Sequence, residues 1–123
     1  MSRFIDNGDN TVTDTKTNLT WMKEDDGKER TWKDAIEYCV EINLPGKGWR
    51  LPTIEELFTL IDFSRHHPAI DPIFTNTKSS WYWSSSPRAD GSGGAWFVYF
   101  NNGYVSWDSL DFNLYVRPVR QNS

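Results

Sequence analysis

SSSPRADGSGGAWFVYFNNGYVSWDSLDFNLYVRPVR, residues 84–120, is the stretch from which the rest of the chain is read. Trp96, Val98, Phe100 and Val105 stand two apart within their runs, the spacing of one buried strand face. Phe97, Tyr99, Tyr104 and Ser106 fall on the opposite face, which is predicted to be open unless another element covers it. Asn102-Gly103 reads as the hairpin turn, because both residues tolerate the positive φ that a two-residue loop demands. Trp107 to Leu114 has no clean period and mixes acids, hydroxyls and bulky apolar groups. Aromatic and apolar groups rimmed by polar ones mark an interaction surface.

The composition of this segment is unusual. Every Lys and Glu of the chain lies before Ser79, and residues 84–120 contain no Lys, Glu, Gln or Met. Asn, Asp, Ser, Gly, Tyr, Phe, Leu, Ala and Arg take their place, residues reached from an Asn codon when its adenines are replaced. Between them stands a constant-looking frame: Trp83 to Ser86, Ala95-Trp96, Val98, Phe100 to Gly103, Val105 and Tyr115 to Arg120. This resembles the variable region of a diversity-generating retroelement target protein, in which an adenine-directed reverse transcriptase rewrites positions near the C-terminus. The resemblance implies a variable ligand-binding set of Arg88, Asp90, Gly91, Phe97, Tyr99, Tyr104, Ser106, Trp107, Asp108, Leu110, Asp111, Phe112 and Leu114. Trp107 departs from the palette: it derives from a Lys codon or belongs to the frame. Phe112 and Leu114 have an alternative role as core residues that plug the end of the sheet.

The length of 123 residues suits one domain, taken as 1–123, with the variable region at 84–120 inside it. Net charge is −4, which argues against a general affinity for nucleic acid, since that needs a basic footprint. No apolar run reaches the length of a membrane span, and MSRFIDNGDN has no signal-peptide core. Cys39 is the single cysteine, so no intrachain disulfide forms and packing must supply stability. Seven Trp and 15% aromatics provide large flat side chains for that core.

Residues 3–22 read as short strands joined by turns rich in Asn, Asp and Gly. Asp6 to Asn10 lacks the oxygen spacing and closing Glu of an EF-hand, so a plain turn is favoured. Thr31 caps a helix whose apolar stripe is Trp32, Ala35, Ile36, Cys39 and Val40. On that stripe the Cys39 thiol reads as a small core hydrophobe rather than a nucleophile. Thr53-x-x-Glu56 is a capping box behind Pro52, with Ile54, Leu57, Phe58 and Ile61 as the second stripe. Arg50 has two readings, an anion site or, the preferred one, an internal salt bridge or backbone contact. Phe63 to Ser80 reads as a loop, and Trp81-Tyr82-Trp83 as a strand with Trp83 inward.

A second resemblance spans nearly the whole chain. Thr31-Trp32-x-x-Ala35, Gly48 to Thr53 with Glu56-Leu57, Tyr82 to Ser85 and Val116 to Arg120 are similar to the domain that closes Legionella collagen-like adhesins. That family implies an α+β, C-type lectin-like fold: two helices packed on small antiparallel or mixed sheets, with long irregular loops on one side. Retroelement variable proteins are built on the same fold. They also imply display on a virus tail tip or a cell surface.

Three function classes follow: a binding module, a calcium-independent glycan-binding lectin or adhesin, and an enzyme. No phosphate loop, zinc signature or Ser/His/acid order supports an enzyme, and no catalytic residue, cofactor or metal is assigned. Formylglycine-generating enzymes share the broad fold but need cysteines that this chain lacks. His66-His67 lacks partners for a zinc site. The Glu-Pro-Asn, Gln-Pro-Asp and Trp-Asn-Asp runs of calcium-dependent lectins do not occur. The expected partner is a protein on a host or target cell, with a glycan as the alternative and neither nucleic acid nor membrane insertion. Tyr99, Tyr104 and Phe112 are the expected anchors; Asp108 and Asp111 favour a basic or hydroxyl-rich partner, and Arg88, Asp90 and Gly91 form a rim.

Overall fold

The computed structural model describes residues 3–89 and 93–122. The fold is α+β, two helices on two antiparallel sheets. β1 (Phe4–Asp6), β2 (Thr11–Asp14) and β3 (Leu19–Met22) form a meander. Helices α1 (Trp32–Glu41) and α2 (Ile54–Phe58) follow, then β4 (Trp81–Pro87), β5 (Gly94–Tyr99), β6 (Tyr104–Ser109) and β7 (Val119–Gln121). The first sheet has the order β1-β2-β3-β7, so the end of the chain returns to pair with its start. The second has the order β4-β5-β6.

The first turns are built as their composition implies. Asp6 and Asp14 each accept the backbone N–H two residues on, and Asn10 and Asn18 take positive φ. Thr31 caps α1 by accepting the Asp34 N–H. Both halves of the Thr53–Glu56 capping box are present on α2. Glu56 also takes a bidentate contact from Arg50 at 2.6 and 2.8 Å, so Arg50 is an internal salt-bridge residue. The helices bury less than their stripes suggest. Val40 and Phe58 are exposed, because α1 lays only Ala35 and Cys39 fully down and α2 is a five-residue helix that buries only Leu57.

The main departure from the sequence reading concerns the second sheet. β4 and β5 are covered on both faces. Tyr82, Val98 and Phe100 join Val12, Trp21, Leu57 and Val119 in one core. Trp83, Ala95 and Phe97 join Ala35, Cys39, Leu51, Leu114 and Val116 in another. Phe97 is therefore a core residue, 3% exposed and stacked on Trp81 with ring centroids 5.2 Å apart, rather than a member of an open face. Leu114, 2% exposed, takes the core role. Trp96 and Val105, expected inside, are only half-buried.

The hairpin also turns differently. Tyr99 pairs with Tyr104, leaving four residues, Phe100 to Gly103, in the loop. Phe100 is drawn into the core, and the Gly103 N–H closes the loop on the Tyr99 carbonyl at 2.8 Å. Gly103 has φ 83°, and a Cβ there would meet Ile61 Cγ2 at 2.6 Å, so both conformation and space require glycine.

Two predictions follow from this packing. Phe97→Ala destabilises the fold by about 2–5 kcal/mol, as Phe100→Ala does, whereas Tyr104→Ala stays within about 1 kcal/mol. Urea denaturation of the three variants checks the ranking, and a neutral Phe97→Ala contradicts the two-faced core. For Glu56, burial pushes the carboxyl pKa up, but the Arg50 and Thr53 hydrogen bonds outweigh it and hold the pKa below the ordinary value. A depressed folded pKa contributes stability above the unfolded value that is lost as pH falls through the folded one. Glu56→Gln is accordingly expected to weaken the fall of melting temperature on acidification, measured by thermal scans from neutral pH down through the carboxylate range.

Candidate binding face

β6 is the outer strand of its sheet, and the segment that follows it folds back toward α1. The Trp32 N–H donates to the Leu110 carbonyl at 3.2 Å, and Arg30 and Leu114 exchange backbone hydrogen bonds at 2.8 and 2.9 Å. These bonds lay Leu110 and Leu114 over the face that carries Phe97, which is why that face is closed. Residues 110–112 turn between β6 and Leu114, with the Phe112 N–H donating to the Ser109 carbonyl at 3.2 Å.

Aromatic side chains stand out from this strand and turn. Tyr104 is 45% exposed, Trp107 43% and Phe112 54%. Tyr104 packs edge-on against the half-buried Tyr99, centroids 5.0 Å apart, and Tyr99 packs likewise on Trp81 at 6.0 Å. An aromatic row thus runs from the core at Phe97 to solvent at Tyr104, through the Phe97–Trp81 stack and then two edge-to-face contacts. Trp107 lies on the other face of β6, opposite Trp96, with the Arg88 guanidinium 3.7 Å above its ring.

The sequence-derived set divides accordingly. Tyr104, Trp107, Asp111 and Phe112 are exposed, while Arg88, Tyr99, Ser106, Asp108 and Leu110 are half-buried along the same strand and turn. Phe97 and Leu114 lie beneath them in the core. Asp90 and Gly91 lie outside the described residues. The members do not share one sheet face: Tyr99, Tyr104, Ser106 and Asp108 are on one side and Trp107 on the other. Because β6 is an edge strand, the two sides meet along its free edge.

One feature of the surface was missed in the sequence. Ile54, Glu55, Phe58 and Val105 line an open apolar groove of about 380 Å³ beside β6. Phe58 extends it toward Phe63, centroids 6.1 Å apart. It arises because α2 has only five residues and leaves Phe58 of the expected stripe outside the core. A larger cleft of about 590 Å³ lies between loop residues 64–77, with Arg65 and His66 on its wall.

The chemistry of the remaining groups is quiet. Burial pushes the Cys39 thiol up to about 12, so it stays protonated at neutral pH. Among the described residues no group of three or more His, Cys, Asp or Glu is placed to hold a metal ion.

The family model of the Lcl C-terminal domain matches residues 10–120, from the turn before β2 to the middle of β7. The chain belongs to the Lcl C-terminal domain family. No curated protein matches it. Membership in the Lcl C-terminal domain family is consistent with ligand binding or adhesion. In this Lcl C-terminal domain the match takes in both helices, the whole second sheet with the turn after β6, and the first sheet except β1 and the end of β7.

With no metal cluster among the described residues, melting curves of the domain in EDTA and in calcium are expected to superimpose. A calcium-dependent rise of several degrees by calorimetry would assign a metal role to the Asp-rich turns instead.

Proposed function

We propose that this domain is a non-enzymatic receptor-recognition module on a C-type lectin-like frame. Its segment 84–120 is diversified by a retroelement so that β6 and the turn after it bind different protein surfaces. The observation that carries this reading is how composition maps onto exposure. Frame positions Trp83, Val98, Phe100, Val116 and Val119 are buried, whereas Tyr104, Asp111, Phe112 and Asn113, all within the Asn-codon palette, are exposed. A diversity surface needs this separation, because substitution must leave the frame undisturbed. Phe97 and Leu114 belong to the palette but not to this surface; their packing restricts them to large apolar side chains. The exposed members are rigid aromatics with few rotamers to lose, suited to serve as anchors.

The test is a library randomised at Tyr104, Ser106, Trp107, Asp108, Asp111 and Phe112 and selected against unrelated proteins. Most members are expected to melt cooperatively near the parent temperature, with binders to several targets emerging. A library in which most members unfold, or which binds only glycans whatever its sequence, overturns the reading. Diversification itself is checked in the neighbouring DNA: a near-copy of the coding segment for residues 84–120, differing at adenines and beside a reverse transcriptase gene, is expected.

A further inference from the structure

The ladder geometry fixes which backbone groups of β6 face solvent. The Phe100 N–H donates to the Ser80 carbonyl, and the Gly94 carbonyl accepts from the Arg88 N–H, so the even positions of β5 turn their backbone groups toward β4. The Tyr99 carbonyl accepts from Gly103, so the odd positions turn toward β6. Backbone direction alternates along a strand. Tyr104, Ser106 and Asp108, paired with Tyr99, Phe97 and Ala95, therefore point inward. Val105, Trp107 and Ser109 point their N–H and C=O groups away from the sheet. Ser109 uses both of its groups locally, its N–H on Asp108 Oδ1 at 2.8 Å and its carbonyl on Phe112. That leaves the donors and acceptors of Val105 and Trp107 along an edge that no strand pairs among the described residues.

Natural edges are usually blunted by Lys, Pro or a bulge. β6, Tyr104-Val105-Ser106-Trp107-Asp108-Ser109, has neither Lys nor Pro, and its six residues pair with β5 in unbroken register. The apolar groove of Ile54, Phe58 and Val105 lies beside this edge, with exposed Glu55 on its rim. Asp108 and the exposed Asp111 stand farther along. A strand added about 4.8 Å outside β6 would set alternate side chains over that groove and the others beside Tyr104, Ser106 and Asp108.

We propose that the ligand is an extended, basic segment of a partner protein, which adds to β6 as a fourth strand of the second sheet. The main-chain ladder at Val105 and Trp107 supplies affinity common to all partners, and the side chains of β6 and its turn select among them. This rests on the reading of β6 as the binding strand. It explains how one frame keeps an affinity while its side chains change: substitution leaves the backbone groups in place. Glu55, Asp108 and Asp111 favour Lys or Arg on the incoming strand. A second copy of the chain is disfavoured as the occupant, because it would bring the same acids and a second net charge of −4 to the edge.

The experiment is amide hydrogen exchange by NMR on the intact domain, free and with the capped hexapeptide KVTVKV at about 1 mM, a concentration that populates weak complexes. In the free protein the Val105 and Trp107 amides exchange fast while those of Ser106 and Asp108 are protected. With peptide, Val105 and Trp107 slow by about tenfold or more. The same peptide N-methylated at alternate residues gives no such protection, nor does the acidic EVTVEV. Val105→Pro, which removes an outward donor that an edge strand can spare, keeps the melting temperature within a few degrees and abolishes the effect. If Val105→Pro unfolds, the N-methylated peptide still decides on the unaltered protein. Absence of protection with KVTVKV overturns strand addition, as does equal protection by the N-methylated peptide. Protection of both amides in the free protein with concentration-dependent dimerisation assigns the edge to a second copy and also overturns it. Library binders that leave both amides fast would sink strand addition alone and leave the diversity surface standing.

Discussion

Arg117 is fully buried, and four parts of the chain meet on its guanidinium. Nη1 donates to the carbonyls of Met22 and Lys23 at 2.6 Å each, holding the end of β3. Nη2 donates to Thr77 Oγ1 at 2.8 Å and lies 3.5 Å from Asp25 Oδ2. Tyr82 donates its hydroxyl to the same carboxylate and accepts the Lys78 N–H at 2.9 Å. One cation thus ties the first sheet, the charged loop before α1, the loop before β4 and β4 itself to the segment leading into β7. A charge out of water is tolerated only when paired and hydrogen-bonded, and removing one partner strands the others. The centre is therefore better understood as a specifier of arrangement than as a source of net stability.

That arrangement places the second sheet between two cores. The first sheet and α2 cover the side of Tyr82 and Val98; α1 and the returning chain at Leu110 and Leu114 cover the side of Trp83 and Phe97. β4 and β5 are then fully occupied, and variation there would open cavities in close-packed material. Among the described residues of the second sheet, β6 keeps side chains in solvent on both faces and a row of backbone groups that no strand pairs. The location of this exposed surface follows from its distance from the cores, not from the alternation of its residues.

Local features were legible in the sequence. The Asn- and Asp-rich turns, the Thr31 cap, the Thr53–Glu56 box and the inward Trp83 depend on residues close along the chain, whose chemistry acts wherever the segment lies. The family could be read from the spacing of Gly48 to Thr53, Tyr82 to Ser85 and Val116 to Arg120. Exposed Tyr104 was also recognisable from its place opposite the core stripe, and Asp111 and Phe112 from a mixed polar and aromatic segment with no clean period.

Burial of Phe97 was not legible, because alternation shows that two faces differ without showing that one is open. Leu110 and Leu114 close it from a distance, through backbone bonds to Trp32 and Arg30 far earlier in the chain. Phe100 likewise leaves the strand pattern for the loop, because the core draws it in while Gly103 alone fits against Ile61. The amino-acid sequence by itself determined the strands, the caps and the turn residues, all set by short-range chemistry. The tertiary structure alone decided which side of each strand meets protein and which meets water, because long-range packing allots the covering elements.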